Sequence, residues 1–217
     1  MRSAALLLSA FGLIVGLIGC AAQPSEQFLL HEVLLRESFD QGYAWRGRMA
    51  EGYGVDFRIE DGVYRAYSEQ AGFVSGLNAE RHTDVVIEVE TTQLSDDRNN
   101  AYGVLCRASA NNDGDGYYFL ISGDGYYSIR RGATERVDGL IDWTQTDVVN
   151  QNRGINRIRA VCIGDYLALY VNGQFIADTR DTRYAQGYAG LTAAVVEDGA
   201  VDIAFDDLTI WAARLVE

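Results

Sequence analysis

From Phe28 onward, apolar and polar residues alternate in short runs, and no stretch of useful length carries a helical period. The runs are punctuated by pairs built for reversal. Asn172-Gly173 separates Tyr166–Val171 from Gln174–Ala177, and Asn-Gly tolerates positive φ at both central positions, so a type I′ hairpin is expected there. Gly164-Asp165 reads as a II′ turn after a strand from Ile155 to Ile163. Asp61-Gly62, Gly123-Asp124-Gly125 and Asp198-Gly199 mark further reversals. Strands are expected near 32–39, 54–59, 62–68, 72–78, 84–93, 101–109, 116–122, 125–131, 155–163, 166–171, 174–180, 187–195 and 200–211. So many short strands, with turns every eight to twelve residues, describe an all-β antiparallel sandwich or a closed barrel. The first strand (Leu34 to Phe39) and the last (Val201 to Trp211) are expected to pair.

The first residues obey a different pattern. Met1-Arg2 precedes an almost unbroken apolar run from Ala4 to Ile18, shorter than a membrane-spanning helix and of the length of an export-signal core. The run ends in Leu17-Ile18-Gly19-Cys20, which resembles a bacterial lipobox. That resemblance implies a signal peptide over 1–19, cleavage before Cys20, acylation of its thiol with diacylglycerol and of its amine with a palmitate-like chain, and a lipidated tether over 20–30. The domain proper would occupy 31–217, membrane-anchored on the extracytoplasmic side of the cell envelope.

Several segments of the body resemble concanavalin A-like (laminin-G/glucanase-type) jelly-roll domains of bacterial lipoproteins and other envelope proteins. They are Glu37-Ser38-Phe39-Asp40, Asn100 to Arg107, Gly116 to Ser122 with Gly125 to Ile129, Leu140 to Trp143, Arg157 to Cys162, Leu169 to Gly173, and Gly190-Leu191 ahead of Phe205 to Leu208. The resemblance covers about residues 36–212 and implies a two-sheet jelly-roll sandwich. It implies little about activity, because this fold hosts sugar binders, glycosidases and structural modules alike.

Strand phase brings two cysteines to one side. Cys106 alternates with Tyr102, Val104 and Ala108, with Leu105 and Arg107 on the other face, and Cys162 alternates with Ile158 and Ala160. Two inward thiols in an exported sandwich are expected to form a disulfide, the alternative being a pair of buried free thiols.

Charge and chemistry narrow the function. The net charge is −13, the eighteen basic residues are all arginine, and an acidic chain repels phosphate backbones, so nucleic acid is not an expected partner. Glycosidases need two suitably spaced carboxylates. Glu88/Glu90 and Asp202/Asp206 share strand faces but do not reproduce the three alternate acids of glucanases on this fold, and a solvated polar face explains them. The two histidines cannot build a multi-histidine site. Asn111 to Gly116 echoes the start of a calcium loop, but Ser122 stands where a glutamate is required, and turn chemistry explains the same residues. No cofactor is expected, with calcium the weak exception, and no catalytic residue is assigned.

Aromatics remain. Of the adjacent pairs Tyr117-Tyr118 and Tyr126-Tyr127, one member each should be exposed. Trp143, Tyr126 and Tyr127, with Asp142 and Arg107 nearby, are the candidate ligand-binding residues, able to stack on a sugar ring, although core filling accounts for the same residues. The function expected from these features is a non-catalytic lipoprotein that binds carbohydrate or a neighbouring protein. The alternatives are an accessory subunit of a membrane-bound complex and a divergent glycosidase.

Overall fold

In the computed structural model, residues 22–40, 55–134, 136–196 and 199–216 are described. The expected signal segment 1–19 and Cys20 lie outside them. The described chain is a succession of fourteen strands: β1 (Phe28–Glu37), β2 (Val55–Glu60), β3 (Val63–Ser68), β4 (Gly72–His82), β5 (Val85–Gln93), β6 (Asn100–Ala108), β7 (Gly116–Ser122), β8 (Tyr126–Ala133), β9 (Arg136–Gln145), β10 (Asn156–Ile163), β11 (Tyr166–Val171), β12 (Gln174–Arg180), β13 (Gly187–Val195) and β14 (Val201–Leu215). They form two antiparallel sheets. One runs β12-β11-β10-β5-β14-β3-β2, with β1 also paired to β14; the other runs β4-β13-β6-β7-β8-β9. The long β14 serves two partners on the same edge: Val201–Phe205 pairs with β3, and Leu208–Leu215 pairs with β1. The expected pairing of first and last strands is therefore present.

The turns form for the expected reasons. Asn172 and Gly173 both have positive φ (52° and 77°), as do Asp61 and Gly62 (52° and 78°), while at Gly164-Asp165 only the glycine does. The strand that sequence reading missed is β9. Its face is mostly exposed, Asp138, Gly139 and Asp142 interrupt the apolar run, and two register shifts against β8 break the alternation.

Between the sheets lies one large core, to which the six-stranded sheet contributes Tyr102, Val104, Tyr117, Phe119, Ile121 and Leu191, and the other sheet Ile87, Ile158, Leu167, Leu169, Phe205 and Ile210. Cys106 of β6 and Cys162 of β10 meet there in a disulfide that staples sheet to sheet. A second apolar cluster covers the outer face of the six-stranded sheet, with Leu77, Leu105, Tyr118 and Leu120 buried and Phe73, Val137, Trp143 and Tyr188 packed beside them. A third, including Val86, Val161, Ile163, Tyr166 and Ala168, lies on the outer face of the eight-stranded sheet.

The second cluster corrects one expectation. Tyr117 and Tyr118 do face opposite sides, yet both are buried, because each face of β7 is covered. Their hydroxyls are satisfied: Tyr117 donates to the Asp181 carboxylate at 2.6 Å and Tyr118 to the Gly114 carbonyl at 2.7 Å.

The segment read as a tether is attached from Ser25 onward. The Ser25 N–H and hydroxyl both donate to Asp178 of β12, at 2.7 and 2.6 Å. Arg180 pairs with Glu26, and β1 already begins at Phe28.

Candidate functional site

The ends of five strands meet at one edge of the six-stranded sheet. The connection from β7 to β8 is the tight turn Ser122-Gly123-Asp124-Gly125, closed by the Gly125 N–H donating to the Ser122 carbonyl at 3.0 Å. Gly125 has φ +95°, a conformation that favours glycine, whereas the Gln151 side-chain nitrogen 2.7 Å from where a Cβ would sit ends a flexible side chain that can move aside. The turn puts the Asp124 carboxylate at the rim, where the Ser122 hydroxyl donates to it. Tyr126 follows directly and pairs with Gln145, which places it on the same face as Trp143.

Trp143 is half-buried, packed against the outer cluster, with the Arg130 guanidinium carbon 6.0 Å from its ring centroid. Arg130 is itself held by a 3.0 Å bond to the Val137 carbonyl. Across the recess, the loop before β6 is pinned by buried amides. Asn100 donates to the Asp97 carbonyl at 2.7 Å and Gln93 to the Ser95 carbonyl at 3.2 Å. The Asn99 N–H donates to Asp97 at 3.0 Å.

The result is a recess of about 190 Å³ lined by Asn99, Ser122, Asp124, Tyr126, Trp143 and Val196. Two aromatic residues, one of them with a phenol hydroxyl, share the lining with an aspartate, an asparagine and a serine. Such a surface can stack on an apolar ring face while accepting hydrogen bonds from hydroxyls on that ring.

Of the residues expected from sequence, the structure brings together Trp143 and Tyr126. The other three lie outside this recess. Tyr127 pairs with Thr144 and packs into the core between the sheets. Asp142 is exposed and does not line the recess; its carboxylate lies against Gly139, 2.4 Å from where a Cβ would sit.

Arg107 is 3 % exposed at a positive φ of 55°, where β6 bulges against β13. The bulge also reverses phase, so Ala108 joins the outer cluster instead of following Cys106 inward. The Arg107 guanidinium donates to the carbonyls of Thr83 (3.1 and 3.2 Å), Gly164 (2.7 Å) and Tyr184 (2.8 Å), and to the Asp84 carboxylate at 3.3 Å. It ties three connections together, with its guanidinium donors committed to the chain itself. Burial lowers its pKa, with Asp84 opposing, but arginine has ample margin to stay charged.

Sequence reading missed Asn99, Ser122, Asp124 and Val196. Only the Gly-Asp-Gly turn gave a signal, and it was read as a turn alone.

The acidic pairs of the eight-stranded sheet are partly neutralised. Arg159 donates to Glu88 at 2.6 Å, Arg157 to Glu90 at 2.9 Å, and Arg65 to Asp202 at 2.7 Å. Asp206, opposite Glu90 in register, is held above the ordinary carboxylate range by burial and by the charges of Asp207, Glu90 and Asp40. In the 111–116 loop, Asp113 accepts from the Ser109 hydroxyl and the Asp115 N–H, and Asp115 from the Thr134 N–H. Among the described residues, no group of three or more histidine, cysteine, aspartate or glutamate side chains is placed to hold a metal ion.

No family model matches the chain, and no curated protein matches it. Solved structures do. A carbohydrate-binding module, CBM66 from Bacillus subtilis, superposes with a TM-score of 0.62 at 15 % identity, over 77 % of this chain and 95 % of that one. A β-1,3-1,4-glucanase (lichenase) from a mouse hindgut metagenome gives 0.61 at 10 % identity, over 82 % and 97 %. The Bacillus licheniformis β-glucanase gives 0.61 at 9 % identity, over 84 % and 98 %. The fold is a concanavalin A-like jelly roll.

At these identities the likeness concerns the fold. It nevertheless corrects the expectation that the chain is not an enzyme: the same jelly roll is that of a lichenase and a β-glucanase as well as of a binding module. The missing glucanase pattern of alternate acids therefore does not decide against catalysis.

Proposed function

We propose that this jelly roll is a glycan-binding envelope lipoprotein, held to the membrane through acylated Cys20, and that the recess at Trp143 and Tyr126 takes a sugar ring. The observation that carries the reading is the convergence of Trp143 and Tyr126 with Asp124, Asn99 and Ser122 in one recess where five strand ends meet. The likeness to a carbohydrate-binding module supports it. The single lining carboxylate suits a neutral ring rather than an acidic one. The anchor reading rests on Leu17-Ile18-Gly19-Cys20.

The test is a glycan array on the detergent-solubilised chain, followed by titration calorimetry of Trp143→Ala and Asp124→Asn with the best ligand. An aromatic stack contributes about 0.5–1.5 kcal/mol beyond its buried area, so Trp143→Ala should weaken binding several-fold or more. Asp124→Asn keeps the shape of the rim but removes its charge, and should weaken binding with an unchanged melting temperature. Unchanged affinity in both variants, or an array without binding, rejects the site. Mass spectrometry of membrane-extracted protein tests the anchor: a chain starting at Cys20 with acyl mass is expected, and an intact Met1 refutes it.

A further inference from the structure

β1 pairs with β14 along one edge, and among the described strands it has no partner on the other. Its burial pattern is mostly exposed, and its sequence Phe-Leu-Leu-His-Glu-Val-Leu-Leu-Arg-Glu carries six apolar residues with exposed His31, Glu32 and Arg36 among them. Leu29, Leu30, Val33 and Leu34, together with Val216 beside the strand's start, are 40 to 46 % exposed. These five make up most of the large exposed hydrophobic side chains among the described residues. Exposed apolar side chains gathered on a strand with one unpaired edge mark a contact surface and are a hazard when left in water.

Where this strip sits says what covers it. The Val216 N–H donates to the Gln27 carbonyl at 2.8 Å, and Ser25 and Glu26 are fastened to Asp178 and Arg180. The start of β1 is thus rigidly tied to the body of the domain. Only Ala21, Ala22, Gln23 and Pro24 separate Ser25 from Cys20, and so short a segment reaches at most about 18 Å when fully extended. A cysteine acylated into the membrane would therefore hold Ser25 within about 18 Å of the lipid surface, and β1 begins three residues further on.

We infer that the exposed edge of β1 (Leu29, Leu30, Val33 and Leu34, with Val216) is a second membrane contact that seats the domain in one orientation on the lipid interface. The inference rests on the reading of Cys20 as the acylated residue. The named side chains are uncharged, the exposed Glu32 and Arg36 of the same strand offset one another, and the chain carries −13, so the contact does not depend on anionic lipid. Seated this way, the domain does not turn freely about its anchor, and the sheet carrying the sugar recess keeps a fixed relation to the membrane.

The experiment uses the full acylated chain on phosphatidylcholine vesicles. With Cys20 acylated and Cys106 bonded to Cys162, a cysteine introduced by Val33→Cys, Leu30→Cys or, as control, Arg136→Cys offers the reactive thiol for an environment-sensitive NBD label. Expected is an NBD signal at 33 and 30 at least twofold brighter than at 136, quenched by doxyl-labelled phosphatidylcholine and unchanged in 0.5 M salt. Two label sites guard against one of them disturbing the strand. If the protein floats with the vesicles but 33 and 30 are as wet as 136, the seating is wrong while the anchor stands. If the protein does not float, the anchor reading fails and takes the seating with it. A brightening that follows protein concentration without vesicles shows a second copy on the strip and overturns the proposal.

Discussion

Replacing Arg107 discriminates between a structural clamp and a ligand-binding residue. Its guanidinium makes five hydrogen bonds to Thr83, Gly164, Tyr184 and Asp84, and the residue is 3 % exposed. Arg107→Met fills much of the same volume but removes the donor from three part-buried backbone carbonyls. A buried acceptor without a partner costs about 1–3 kcal/mol, and breaking a buried charged network about 3–5 kcal/mol, so a loss of roughly 3–5 kcal/mol is expected. The pocket beside Arg107, Tyr184 and Gly187 admits water to part of the site, which favours the lower end. Arg107→Lys keeps the charge but has three donors instead of five and no planar fork, so it should recover only part of the loss. Urea unfolding followed by circular dichroism, with the disulfide intact, measures both variants. A loss below about 1 kcal/mol for Arg107→Met, or reduced glycan affinity at unchanged stability, would refute the clamp and return Arg107 to the binding residues.

Breaking the Cys106–Cys162 bond frees a loop with a sequence separation of 56, worth about 4 kcal/mol in the chain-entropy account. Urea midpoints of the oxidised chain and a Cys106→Ala/Cys162→Ala variant should differ accordingly, and coincident midpoints would show that the staple adds no stability. His82 is buried, and its Nε2 meets the Asn78 side-chain nitrogen at 2.7 Å, an arrangement that needs the neutral ring. Burial, partly opposed by Glu80, lowers its pKa below the ordinary 6.5. The unfolded ring then binds its proton more tightly than the folded one, so stability should fall as pH drops from about 6.5 through the lowered folded value. His82→Gln should remove that slope, and an identical pH dependence in the variant would rule the residue out as its source.

Much of the architecture was legible in the sequence because the signals are local. Asn172-Gly173 selects positive φ at both positions whatever surrounds it, and the period-two phase of Cys106 and Cys162 turned both thiols inward before any partner was known. Trp143 and Tyr126 were also legible, as aromatics beside turns. Tertiary structure decided the rest. A bulge at Arg107 turned Ala108 to the outer face, and whether a bulge forms depends on the partner strand as well as on the residues around it. Alternation shows that Tyr117 and Tyr118 face opposite sides, but not that both sides are covered; the second apolar cluster, gathered from β4, β6, β7, β9 and β13, decides that. The recess has the same origin. Asn99, Asp124, Trp143 and Val196 are far apart in sequence and come together because strands β6, β7, β8, β9 and β13 end at one edge of a sheet, and strand order is a long-range choice that no single segment encodes.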